Sequence, residues 1–141
     1  MKKIEDFIFK RGSIEHLHEN TFVGFDNLQK IDFGNNVKVS YGKRIPNTPV
    51  SLVTCHNHNK IKELHKDTFR GLINLKEINL NHNQIESIDS SIFNDLVKLE
   101  KIDLSDNKIN CLYLETFIGL DELKEIYLNG CNRLITHHFS Q

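Results

Sequence analysis

Tryptophan is absent from this chain, methionine occurs once, at the first position, and proline only twice, at Pro46 and Pro49. Almost every backbone N–H outside that short stretch is therefore available to a hydrogen-bonded ladder. Three cysteines, Cys55, Cys111 and Cys131, are too few and too irregularly spaced for a disulfide framework. No run approaches about 18 apolar residues, so membrane insertion is not expected. Neither sign of charge dominates, since 18 basic and 19 acidic residues leave a net −1. On that balance neither nucleic acid nor an anionic membrane surface is expected as the main partner. The seven glycines are dispersed and build no phosphate loop. No Asn-x-Ser/Thr acceptor occurs, which leans against a secreted life. Met1-Lys2-Lys3 has the look of a leader, but Glu5, Asp6, Lys10 and Arg11 interrupt any apolar core, and no signal peptide is expected.

What the chain does have is a period. Ile61, Leu64, Phe69, Leu72, Leu75, Ile78, Leu80 and Asn83 are followed 24 residues on by Ile85, Ile88, Phe93, Leu96, Leu99, Ile102, Leu104 and Asn107. A further step gives Ile109, Leu112, Phe117, Leu120, Leu123, Ile126 and Leu128, with Cys131 in the Asn slot. Backwards, Ile14, Leu17, Phe22, Phe25, Leu28, Ile31, Phe33 and Asn36 fill a unit, and Ile4, Phe7 and Phe9 fill the strand slots of a half unit before it. An internal repeat on this scale implies a solenoid. The expectation is a single domain over 1–141 with about five and a half repeats. The irregular one lies at 37–59, where Thr54 and His56 stand in apolar slots and Pro46 and Pro49 flank a turn.

The spacing carries its own physics. Ile78-x-Leu80 has the alternation of a strand, with Glu77 and Asn79 left to the other face. A lone unit cannot enclose seven apolar side chains, but stacked units can, each slot packing on its counterpart. Six parallel strands are expected, near 4–9, 28–33, 51–56, 75–80, 99–104 and 123–128. Asn36, Asn59, Asn83 and Asn107 stand where each strand ends, where a buried amide can bond the backbone of adjoining turns. Phe22, Phe69, Phe93 and Phe117 should stack as an aromatic column, with Ile45 filling the gap between the first two.

The pattern LxxIxLxxNxI followed by xxLxxxxFxxL, over Leu75–Leu96, resembles the leucine-rich repeat in its 24-residue subclass, as in Toll-like receptor and insect immune ectodomains. The resemblance covers nearly the whole chain, weakly over 37–56. It implies an α/β solenoid: a right-handed horseshoe with a parallel concave sheet and loops or short helical turns on the convex side. It also implies a non-catalytic module of receptor or immune-recognition type that binds a protein or peptide on the concave face. The subclass leans toward an extracellular setting, although no signal peptide, sequon or cysteine cap supports one, and the compartment stays open.

On that face the expected partner-binding residues are Asp32, Glu77, Asn79, Lys101, Asp103, Glu125 and Tyr127. The sheet holds them rigidly, and Tyr127 is the aromatic candidate anchor. The alternative is a structural or self-assembling repeat protein, associating through uncapped ends, or an intracellular adaptor. Cys55, His56, His58 and His82 form a knot of ligand types, but strand neighbours point to opposite faces, and no metal site is expected there. No nucleophile, base and orienting group stand at a recognisable spacing, so neither catalytic residues nor a cofactor are expected.

Overall fold

The computed structural model of the protein describes residues 4–9, 13–34 and 59–130, with the backbone of 134–135. Among the described residues nine short strands follow one another: β1 (Asp6–Ile8), β2 (His16–Leu17), β3 (Lys30–Asp32), β4 (Glu63–Leu64), β5 (Glu77–Asn79), β6 (Lys101–Asp103), β7 (Leu112–Tyr113), β8 (Glu125–Tyr127) and β9 (Leu134–Ile135). A four-residue 3-10 turn, Leu114–Phe117, follows β7, and turns make up the rest of the convex side. Among the described residues, no helix is long and apolar enough to cross a membrane.

Five strands form one parallel sheet in the order β1-β3-β5-β6-β8. Its register aligns Phe7, Ile31, Ile78, Ile102 and Ile126, the slot that the periodicity marks as inward. Ile31, Ile78 and Ile102 are fully buried, with Leu28, Leu75, Leu80, Leu99 and Leu104 packed around them. Because identical slots meet, each repeat completes the core of the next.

The period is broken at one place. The aligned residues step by 24 from Phe7 to Ile31, by 47 from Ile31 to Ile78, then by 24 and 24 to Ile102 and Ile126. The long step equals one 24-residue period plus the irregular 23-residue unit between Asn36 and Asn59. Yet β3 bonds β5 directly, Phe33 N–H donating to Asn79 O at 2.8 Å as Leu80 N–H does to Asp103 O. On the return path β2 pairs β4, and Lys60 N–H reaches Ile14 O at 3.0 Å. The expectation of six strands with one between 28–33 and 75–80 is therefore corrected: the described sheet has five, and the irregular unit is bypassed. The expected strand at 51–56 lies outside the described residues. The physical reason is legible at Thr54 and His56, which offer the core a hydroxyl and an imidazole where the other units offer Ile, Leu or Phe.

The bypass also moves an asparagine. Asn83 donates to Leu80 O and, one unit back, to Phe33 O; Asn107 donates to Leu104 O and to Leu80 O. Asn59 donates to Phe33 O at 2.7 Å and to Phe9 O at 3.0 Å. It therefore fills the slot that the spacing assigns to Asn36, which lies outside the described residues. The carbonyl oxygens of Asn83 and Asn107 accept from Ile61 and Ile85 N–H, each 3.1 Å away, so the amide bonds both turns as expected.

The aromatic column closes in the same way. Phe22 stacks on Phe69 at 6.0 Å, Phe69 on Phe93 at 6.1 Å and Phe93 on Phe117 at 6.3 Å. No gap separates the first two rings, so the place expected for Ile45 does not exist, and Ile45 itself is outside the described residues.

Candidate partner-binding face

The concave face is built from the strand positions that the core does not use. In one row of the sheet Asp6, Lys30, Glu77, Lys101 and Glu125 stand in register on successive strands. Charge alternates along it: Lys30 Nζ lies 2.7 Å from Glu77 Oε2, and Lys101 Nζ 3.3 Å from Glu125 Oε2. The hydrogen bond to Glu77 raises the Lys30 pKa, and the bond to Glu125 raises that of Lys101. Glu125 is held below its ordinary value, first by the Tyr127 hydroxyl, which donates to Oε2 at 2.8 Å, and then by Lys101. That bond in turn raises the pKa of Tyr127. Lys101 Nζ also sits 5.3 Å from the Tyr127 ring centroid. Lys101, Glu125 and Tyr127 thus form one joined cluster on β6 and β8.

The second row is Ile8, Asp32, Asn79, Asp103 and Tyr127. Three of these do a local job. Asp32 Oδ1 accepts from Gly34 N–H, Asn79 Oδ1 from Asn81 N–H and Asp103 Oδ1 from Ser105 N–H, each at 3.0 Å. Each short polar side chain closes a turn that ends its strand. The other oxygen of Asp103 accepts from Asn81 Nδ2 at 3.0 Å. The freedom expected for these positions is thus smaller than for Glu77, Lys101, Glu125 and Tyr127.

Six of the seven expected residues share an accessible surface. Glu77, Asn79, Lys101 and Asp103 are half-buried, while Glu125 and Tyr127 are exposed. Asp32 departs from the expectation: it is 2% exposed and offers no surface to a partner. Beside it Gly34 is buried, and a Cβ there would run into the side chains of Asn79 and Asn81. The close approach of β3 to β5 across the bypass crowds this end of the row.

Of the four residues weighed for metal, Cys55, His56 and His58 lie outside the described residues. His82 adopts a left-handed backbone and places Nε2 3.3 Å from Asp106 Oδ2. A different group, Glu19, His65 and Asp67, has ligand atoms within 4.8 Å of one another. Sequence spacing gives no sign of it, because residues 19 and 65 become neighbours only through the bypass.

A leucine rich repeat family model matches residues 57–92 and 73–134, and a BspA type leucine rich repeat region model matches residues 1–63. No curated protein matches the sequence. Among solved structures, TLR13 in complex with ssRNA13 superposes with a TM-score of 0.71 at 25% identity, over 97% of this chain. Toll from the Drosophila Toll–Spatzle complex superposes at 0.61 with 19% identity, over 94% of this chain. The chain spans 17% and 18% of the lengths of those two proteins. One of these two neighbours is an RNA complex; a repeat surface presents local, not total, charge to a ligand, so net charge alone does not exclude nucleic acid.

Proposed function

The chain belongs to the leucine-rich repeat family, and from that premise we propose a non-catalytic binding module of receptor or immune-recognition type, taking a protein or peptide across β5, β6 and β8. Residues 1–141 act as a single domain in this reading. The observation that carries it is the Lys101–Glu125–Tyr127 cluster, an exposed ring and a charged pair held in register by the sheet. A rigid polar surface with an aromatic anchor loses little side-chain freedom on binding.

The geometry selects the test. Asp103→Asn keeps an oxygen for the Ser105 N–H, as Asn79 does in β5, while removing the charge. Combined with Tyr127→Ala, it should weaken retention of a protein partner by the immobilised chain at least tenfold, about 1.4 kcal/mol. The melting temperature should be nearly unchanged. Normal binding by that double variant, with loss on substituting Lys66 or Glu115, would move the site off the concave face. A parallel titration with single-stranded RNA separates the two partner classes: tight RNA binding abolished by the same variant would replace the protein reading.

A second reading, association between copies, is favoured by apolar side chains on the edge strands. Ile8 is 53% exposed and Phe9 41% at one edge of the sheet, and Ile126 is 40% exposed at the other.

A further inference from the structure

We propose that Glu19, His65 and Asp67 form a site for a zinc-class divalent cation that fastens the turn after β2 to the turn after β4. The two turns belong to units separated by the bypassed repeat, and they already share a rigid frame. His65 N–H donates to Leu17 O at 3.0 Å, and the buried Thr68 hydroxyl donates to the same oxygen at 3.0 Å. On that frame the three side chains bring one ligand atom each within 4.8 Å of the others. A tetrahedral zinc ion with bonds of about 2.0–2.1 Å holds its ligands about 3.3 Å apart. The remaining closure falls to Glu19, which is exposed and has several torsions to supply it.

The donors suit the ion. His65 Nδ1 accepts a hydrogen bond from Asp67 N–H at 3.2 Å, so it carries the lone pair that a metal needs. The same nitrogen lies 3.9 Å from Asp67 Oδ2, which places a carboxylate beside it. Binding the ion replaces that exposed amide bond, and the released N–H turns to water. Two carboxylates balance the double charge, and the imidazole favours zinc over magnesium or calcium, which take oxygen ligands. Open coordination positions fall to water, as a partly exposed site allows.

The chelator-stripped, untagged chain is titrated calorimetrically with zinc chloride, and its melting temperature is followed with and without zinc. One zinc per chain is expected, with a melting temperature raised by the ion, since binding only the folded state stabilises it. His65→Ala and Asp67→Asn should each weaken binding at least tenfold and cancel the thermal shift, while His82→Ala changes neither. Metal-free circular dichroism of each variant must match the parent. Should His65→Ala misfold, Asp67→Asn and Glu19→Gln decide. Unchanged zinc binding in those variants, loss on His82→Ala instead, or equal binding of magnesium would overturn the site.

Discussion

Asn59 shows how much one side chain decides here. Its amide bonds the carbonyls just past the ends of two strands, at Phe33 and at Phe9, and it is 1% exposed. Replacing it with alanine removes the amide donor at the Phe9 carbonyl and leaves the buried Phe33 carbonyl with the longer bond from Asn83 alone, at a cost of about 1–3 kcal/mol. Asn36 is an equivalent residue by spacing, yet the Phe33 carbonyl is already served by Asn59. Urea unfolding should therefore separate the two: Asn59→Ala lowers stability by that amount, while Asn36→Ala stays within about 0.5 kcal/mol of the parent. The reverse order would show that Asn36 holds the joint. The candidate site is also decided at this scale. Asp32 and Asp103 have the same residue type and the same strand position, but burial at the crowded β3–β5 joint removes only the first from the surface.

At the scale of the element, the bypass has a direct consequence. Where β5 ends, the chain runs Leu80-Asn81-His82-Asn83, with His82 at φ 52°. Where β3 ends it runs Phe33-Gly34, and the equivalent of Asn83 is Asn59. Deleting residues 36–58 would leave Phe33-Gly34-Asn35-Asn59, with asparagine, which tolerates the left-handed backbone, in the His82 position. The shortened chain should keep its sheet signal in circular dichroism and melt at or slightly above the parent temperature, since fewer residues then separate two positions that the fold already holds together. Collapse of the fold on deletion would mean that residues 36–58 support the sheet. The unbroken stack from Phe22 to Phe117 makes retention the expected result, because every ring in it comes from a retained unit.

For the whole molecule the core is unevenly closed. Ile31, Ile78 and Ile102 are fully buried, whereas the equivalent Ile126 in β8 is 40% exposed and Phe7 in β1 only half-buried. Charged neighbours such as Glu5, Asp6 and Lys124 discourage edge pairing but do not cover apolar area. Light scattering on the purified 141-residue chain should show mass rising with concentration. Phe9→Lys with Ile126→Lys should return it to a monomer, because charges placed in both edge slots make stacking unfavourable. A monomer at high concentration without these changes would remove the association reading and leave the concave-face test untouched.

The slots themselves were legible in the residues: a 24-residue period, inward Ile and Leu, a stacking Phe and a turn Asn determine a parallel solenoid whatever surrounds them, because each unit can bury its apolar side only against a copy of itself. So were Lys101 and Glu125 as neighbours, since equal offsets on adjacent units place them in register, with Tyr127 two residues beyond Glu125 on the same face of its strand. Spacing alone could not say that β3 would pair with β5. Two units of nearly equal length compete for the place beside β3, and the better match of Ile78 and Leu80 to the core over Thr54 and His56 is a packing energy, realised only in three dimensions. From that one choice follow the substitution of Asn59 for Asn36, the closing of the aromatic column, the burial of Asp32 and the meeting of Glu19 with His65 and Asp67.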